Sequence, residues 1–283
     1  MRSSEQNHRS PAYSIELIDK LVRVLETLRD APSGLTLHDI TVRTGYVKSS
    51  VHRTLASLKW HGYVEQPAPG GPYQLGVKCL LLARGLKDSV ELLPFARPYL
   101  REIVDTFDES AYLAILRAGR GIFVDVCEPW RRDLRLVGPL GAEVHYHATA
   151  AGKILAAYLP PRARAALLAR IDLKPLTPRT MTKRADVKKE WDDVARVGTA
   201  VNKEETIVGA IFLAGAIFDA ERAICGCISV GIPKARHSSA LGRQIATRVK
   251  EACRRLSDSL AEAGYVHEDR QLHKIALSGA GPP

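Results

Sequence analysis

Residues 36–76, TLHDITVRTGYVKSSVHRTLASLKWHGYVEQPAPGGPYQLG, constrain the fold more than any other stretch. Two short helical patterns flank a glycine turn, and a strand–turn–strand follows. That is the layout of a winged helix-turn-helix, a module that reads DNA. Thr36 is a good N-cap, and Asp39 stands three residues on, where its carboxylate reaches back to a free amide. Leu37 and Ile40 mark a buried face. Thr44-Gly45-Tyr46 breaks the helix, with Gly45 supplying a backbone conformation that other residues resist. The second helix is expected over 47–60, with an apolar stripe of Val47, Val51, Leu55 and Leu58.

Opposite that stripe stand Lys48, Ser49, Ser50, His52 and Arg53, and no carboxylate occurs between Asp39 and Glu65. A face without acids suits phosphate contact, because each carboxylate would repel the duplex. The short hydroxyls let the backbone approach the groove, while Lys48 and Arg53 reach phosphates or guanine edges. Gly62 ends the helix, and strands at 63–66 and 73–75 enclose the Gly/Pro turn 67–72, making a wing. A polar helix face alone is ordinary; the turn, the wing and the missing acids together make this one a reading face. Its candidate contacts are Thr36, Lys48, Ser49, Ser50, His52 and Arg53, with Tyr73 at the wing edge. A preceding helix, 15–29, carries Ile18, Leu21, Val22, Leu25 and Leu28; it completes a three-helix core and leaves apolar surface for a dimer contact.

The chain's 283 residues allow two domains with separate cores, and an apolar content of 46% excludes a disordered protein. The net charge of +10 fits a polyanion partner and carries weight because it agrees with the local motif. Five scattered cysteines (Cys79, Cys127, Cys225, Cys227 and Cys253) lack the even count and spacing of a secreted disulfide framework. Residues 1–12 are polar and no long apolar run follows, so neither a signal leader nor a membrane span is expected. A cytoplasmic protein follows.

Beyond the reading head, 77–88 is apolar at helical spacing and reads as a linker helix. A long helix over 93–107 starts with Pro94 in its first turn. Strands are expected at 111–117, 122–128, 134–137, 207–218 and 223–230, and helices at 151–158, 161–169, 187–197 and 242–263. Helices packed on a sheet in that order make an α+β fold.

Six segments, in order, then carry a resemblance: TGYVKSSVHRTLASLKWHGYVEQ, YQLGVKCLLLARG, ARPYLREIVDTF, GAEVHYHATAAGKILAAYLP, GTAVNKEETIVGAIFLAGAIFD and ICGCISVGIP. Over residues 14–264 the chain resembles the IclR family of bacterial transcriptional regulators. The resemblance implies a winged helix-turn-helix domain (12–76), a linker helix (77–92) and a GAF-like effector-binding domain (93–265); the Ser/Gly/Pro composition of the end reads as a disordered tail (266–283). It also implies homodimers, often homotetramers, with paired reading heads on roughly palindromic operator DNA.

A ligand site is suggested by His147-Ala148-Thr149-Ala150-Ala151-Gly152, whose small residues leave amides open at a helix N-terminus and so favour a carboxylate. From the spacing alone, tight packing of a strand–helix junction is the better reading. In family members that bind small keto acids, this loop and the last strands line the pocket. The resemblance thus implies effector contacts at Ala150, Ala151, Asn202, Phe212, Ser229 and Gly231, with Leu136, Val144 and Ala210 as apolar lining and His147 in the same loop. Three positions depart from the family pattern. Asn202 stands where an acid can occur, Phe212 where a small thiol can, and Gly231 where a hydroxyl can. A lost polar set and a gained ring favour an aromatic or longer aliphatic acid over a two-carbon one.

Other constellations carry less. Glu143, His145 and His147 alternate as on one strand face, but structural zinc takes four ligands and a fourth is not evident, so polar lining or surface is the better reading. Cys225-Gly226-Cys227 has the wrong spacing for a redox or zinc pair and reads as buried packing. Glu204 and Glu205, as adjacent strand residues, would face opposite ways, which argues against joint acid–base work. Lys153 reads as a solvated helix residue. With neither a nucleotide glycine loop nor a nucleophile elbow, catalytic residues, metals and cofactors are not expected. The rival readings are a small-molecule enzyme with an N-terminal oligomerisation domain and a DNA-binding protein without an effector.

Overall fold

The computed structural model describes residues 15–267 apart from Ser89, Ala118, Asp133 and Pro139. The chain divides into two compact units between Val90 and Glu91. Most of the tail expected at 266–283, and residues 12–14, lie outside the described residues.

The first unit runs α1 (Glu16–Arg29), α2 (Leu37–Thr44), α3 (Lys48–Trp60), β1 (Val64–Glu65), β2 (Gln74–Leu75) and α4 (Lys78–Asp88). The start of α2 is a closed capping box: Thr36 Oγ1 accepts the Asp39 N–H, and Asp39 Oδ2 accepts the Thr36 N–H, both at 3.2 Å. Gly45 ends α2 at φ 73°, a left-handed conformation that favours glycine. The core is Val24, Leu28, Ile40, Val51, Leu55 and Leu58, closed from the wing by Val64 and Tyr73. Three expectations change. Val47 is the N-cap of α3 and is 73% exposed, so the buried stripe starts at Val51 and includes Thr54, whose hydroxyl bonds the Ser50 carbonyl. Tyr73 is only 8% exposed; its backbone bridges Leu35 in both directions and its ring packs in the core, which removes it from the wing edge. On α1, Val24 and Leu28 are buried, while Ile18 and Val22 face outward with Ile15 and Leu17.

Wing register depends on one glycine. Val64 pairs Leu75 and Glu65 pairs Gln74, which brings Gly76 N–H onto the Tyr63 carbonyl at 2.8 Å. A Cβ at Gly76 would strike the Gly62 carbonyl oxygen, which also accepts the Lys78 N–H.

The second unit runs α5 (Leu92–Phe107), β3 (Ser110–Arg117), β4 (Arg120–Cys127), α6 (Ala150–Ala157), α7 (Pro161–Arg170), α8 (Arg184–Val197), β5 (Thr199–Lys203), β6 (Ala210–Phe218), β7 (Ile224–Pro233) and α9 (Ser239–Glu262). Its sheet has the order β4-β3-β7-β6-β5, and every pairing is antiparallel. Central β7 is buried along all ten residues, so it reads as a continuous apolar run rather than an alternation. Helices α5 and α9 cover one face, where Gly226 lies under Leu92 and Gly215 under Val249 and Cys253. Helices α6 and α8 cover the other, where Ala150, Ile154 and Trp191 join Tyr112, Ala214 and Cys227 in one core. Cys225 and Cys227 are buried in β7, as packing required.

Two elements differ from expectation. Strand β5 replaces an expected gap; it is short, lies at the sheet edge and carries small or polar residues. Residues 134–137 form no strand: Leu134 and Val137 are exposed, and the segment is tied by Tyr112 Oη donating to the Leu136 carbonyl and Arg236 donating to that of Leu134. Glu143 makes only an isolated bridge to Ile122 and pairs with Arg120, so residues 143–147 are not a strand with one shared face. Among the described residues no helix is long and apolar enough to cross a membrane.

Substituting Gly76→Ala is expected to destabilise the first unit by about 1–3 kcal/mol, because backbone must move to admit the methyl. Hydrogen exchange checks it: protection falls at amides 51–58 and stays unchanged in α9.

Candidate functional site

The reading face is built on α3. Lys48, Ser49, His52 and Arg53 are exposed and, with Leu37 and Val47, line a shallow concavity. Ser50 is half-buried. The first turn of α3 carries no acid and no side-chain cap; the Ser50 N–H donates to the Val47 carbonyl at 2.9 Å, and the Lys48 and Ser49 amides stay open toward an anion. Among the described residues neither Lys48 nor Arg53 has a carboxylate within ion-pair distance, so both charges are available to an outside partner. Thr36 is exposed but its hydroxyl is engaged with Asp39 at 2.6 Å.

On the second unit, the sheet register lines up residues that sequence spacing could only suggest. Asn202 pairs Phe212, Phe212 pairs Gly231, and Gly231 pairs Ser110, so four side-chain positions form one row across β5, β6, β7 and β3. The next row on the same face holds Ala200, Ala214, Ser229 and Tyr112. Helix α6 lies over this face, and Cys227 Sγ approaches the Ala151 carbonyl at 3.8 Å. Thr149 caps α6 by accepting the Gly152 N–H at 3.0 Å. Among the described residues the amides of Ala150 and Ala151 donate to no acceptor, although both residues are buried. Buried N–H groups without a partner are rare.

The Phe212 ring lies over Gly231: a Cβ there would sit 2.8 Å from Phe212 Cε1 and 3.1 Å from Leu136 Cδ1. Tyr112 joins this cluster, its ring 6.2 Å from Phe212 and 6.4 Å from Phe123. Burial pushes its phenol well above the ordinary value. Val144 is buried against Gly121, and His147 is buried with Nε2 at 3.0 Å from the Lys174 carbonyl. Ala210 is buried at the start of β6, and Ser229 in the middle of β7. Asn202 is fully buried and already engaged, donating to Thr206 and accepting the Glu205 N–H, both at 2.7 Å.

Three residues of this face escape sequence reasoning. Tyr112 is missed because an aromatic in a strand is most often plain core. Ser110 ends the row fully buried, its hydroxyl without a hydrogen bond among the described residues. Lys153 overturns its expectation outright. It is 1% exposed, and its ammonium donates to Glu205 Oε1 at 2.7 Å, the Val201 carbonyl at 2.9 Å and Glu190 Oε1 at 3.0 Å. Glu204 and Glu205 lie in a turn rather than a strand, with Glu204 at φ 62° and held by Lys234 and Arg179. Burial pushes the Glu205 carboxyl up against the opposing pull of Lys153.

Lys153→Met is therefore expected to cost about 3–5 kcal/mol of stability, since it strands a buried carboxylate. Adding Glu205→Gln should restore more than half of that loss, as a denaturant double-mutant cycle would read.

Two family models match this chain: the IclR helix-turn-helix domain over residues 17–68, and the C-terminal part of the bacterial transcriptional regulator IclR over 86–258. The chain is similar to the HTH-type transcriptional regulator TtgV of Pseudomonas putida, 34% identical over 74% of this chain and 78% of that one. It is also similar to the glycerol operon regulatory protein of Streptomyces griseus, at 31% identity over 90% of this chain and all of that one. Among solved structures, an IclR homologue from Microbacterium hydrocarbonoxydans complexed with 4-hydroxybenzoate shares the fold at a TM-score of 0.70 and 21% identity, covering 87% of this chain and 99% of that one. With its helix-turn-helix and its α+β unit both matched, the chain belongs to the IclR family of DNA-binding transcriptional regulators.

Proposed function

We propose that the chain controls transcription by binding operator DNA through α3 and that a small organic acid bound in the second unit modulates that binding. One observation carries the effector half. Two buried, unbonded amides at the N-terminus of α6 lie on the sheet face that holds the Asn202–Phe212–Gly231 row. Such amides donate to a carboxylate, and the helix dipole adds to the attraction. The Phe212 and Tyr112 rings supply apolar area for the rest of the ligand, so the effector is an aromatic or longer aliphatic acid. The Microbacterium relative's 4-hydroxybenzoate has that chemistry. The work is binding, in the cytoplasm, without a cofactor.

Lys48, Ser49, Ser50, His52 and Arg53 enter the major groove, with Thr36 beside them at the start of α2. The outward apolar residues of α1 (Ile15, Leu17, Ile18) and of α4 (Leu80, Leu81, Leu82) support self-association as a homodimer or homotetramer, which pairs the reading heads.

Two measurements test this. In fluorescence-anisotropy titrations against a fragment from the promoter of its own gene, a Lys48→Ala, Arg53→Ala double variant should bind more weakly, with its log K against log salt slope smaller by about 2. Equal affinity and slope would reject α3 as the reading helix. In calorimetry, 4-hydroxybenzoate or benzoate should bind and glyoxylate should not, and Phe212→Ala should weaken the aromatic acid by about 1 kcal/mol or more. Tight binding of glyoxylate alone would overturn the effector class.

A further inference from the structure

The formal charge of this protein does not sit on its reading head. Residues 16–76 hold seven Lys and Arg against six Asp and Glu, a balance of +1. Residues 161–197, which span α7, the connector and α8, hold ten Lys and Arg against five Asp and Glu, a balance of +5 out of the chain's +10, and all but one of those cations precede Glu190. A short stretch of the second unit therefore carries half of the excess.

That stretch is folded rather than loose. The two helices pack antiparallel: Arg164 reaches Asp192 at 2.7 Å, while Arg184 at the start of α8 donates to the Leu168 and Ile171 carbonyls at the end of α7. The connector is pinned beneath by Thr177 and Thr180, whose hydroxyls donate to the Glu204 and Glu205 carbonyls at 2.7 and 2.6 Å. Leu168, Ile171, Leu173 and Met181 pack inward on the core.

The cations point the other way. Arg162, Arg170, Lys174, Lys183 and Lys189 are all exposed, and among the described residues none has a carboxylate within ion-pair distance. Neighbouring Arg179 and Lys188 are also exposed, paired with Glu204 and Asp192.

Helix capping explains one of these cations: Arg184 bonds the last carbonyls of α7. A cation near a helix N-terminus otherwise opposes the dipole, and carboxylates belong there instead. Yet Arg162 is the second residue of α7, whose first turn has no acid, and Lys183 is the N-cap of α8, whose first turn holds Asp186. Self-repulsion on such a surface is relieved by an anion.

We propose that the α7–α8 hairpin is a second phosphate-binding surface, which takes the backbone of duplex DNA without regard to sequence. The established partner class of this family is DNA, and the nearly neutral reading head supplies few of the counterion-releasing contacts that set affinity. Nothing in the hairpin is shaped to read base edges, so its contribution is salt-dependent grip rather than specificity.

The test uses the full chain and a random-sequence duplex of about 60 base pairs, titrated across salt concentrations. The triple variant Lys174→Gln, Lys183→Gln, Lys189→Gln changes only exposed side chains, and its melting temperature should match that of the unaltered protein. Its log K against log salt slope should be smaller by about 2–3, at roughly 0.9 per lost phosphate contact. An unchanged slope and affinity would overturn the proposal. So would lost binding to heparin with binding to the duplex retained, because that assigns the surface to another polyanion. Lys48→Ala, Arg53→Ala tested alongside keeps this surface intact, so failure of the reading helix and failure of the hairpin are told apart.

Discussion

The second unit is organised around one buried ammonium. Removing a charge from water costs several kcal/mol, and Lys153 tolerates it because all three of its protons have acceptors on three different elements. Helix α6 is thereby fixed to α8 through Glu190, to β5 through the Val201 carbonyl, and to the turn after β5 through Glu205. The same turn is held from below by Asn202, which accepts the Glu205 N–H. The α6 amides and the Asn202 end of the sheet row therefore move together or not at all. The cluster carries two carboxylates for one ammonium. Glu190 is partly solvated and carries the surplus negative charge toward water, while Glu205 is more deeply buried, with its Oε2 making no hydrogen bond among the described residues. The cluster fixes α6 rigidly over the sheet, and the unpaired oxygen is the local cost of that rigidity.

Rigidity on the reading head comes from different physics. Its core is small, and the α2–α3 geometry is set by local backbone devices: a capping box, a left-handed glycine, and a wing whose last glycine touches the backbone at the end of α3. Residues 16–76 are close to neutral, so what distinguishes this unit is an arrangement, the acid-free face of α3, rather than bulk charge.

Much of this was legible in the sequence, for a definable reason. Periodic apolar stripes, caps and glycine turns are local signals, so α2, α3, the wing, β3, β4 and the long α9 could be placed. Position within a period is less secure: Val47 fits the stripe by spacing but falls at the N-cap, where the chain has not yet turned inward. Tyr73 looked like a wing contact because its burial depends on Leu35, far off in the chain. Strand β5 escaped because Thr199–Lys203 holds a single branched apolar residue, Val201, and is held by pairing with β6 alone. Lys153 was misread because burial of a lysine is decided by partners 37 and 52 residues away, which no local pattern announces. The candidate effector residues were named by resemblance; the register adds that Asn202, Phe212 and Gly231 share one row, and that Ser110 and Tyr112 belong to the same face.

That row also ties together two positions, 212 and 231, that the resemblance implies depart from the family pattern. Phe212 and Gly231 are cross-strand partners, and the ring occupies the volume that any side chain at 231 would need. A large residue at 212 is compatible with this sheet only because 231 has no Cβ. The consequence is chemical as well as steric. Two polar positions become one aromatic surface, backed by Tyr112 and capped by Leu136. A small acid placed there would leave the rings and the buried Ser110 hydroxyl without contacts, and so gain little beyond its carboxylate. On the proposed reading, a longer or aromatic acid would cover the rings while its carboxylate met the α6 amides. The Phe212–Gly231 pair would then decide what fills the far end of the site and leave the amides untouched.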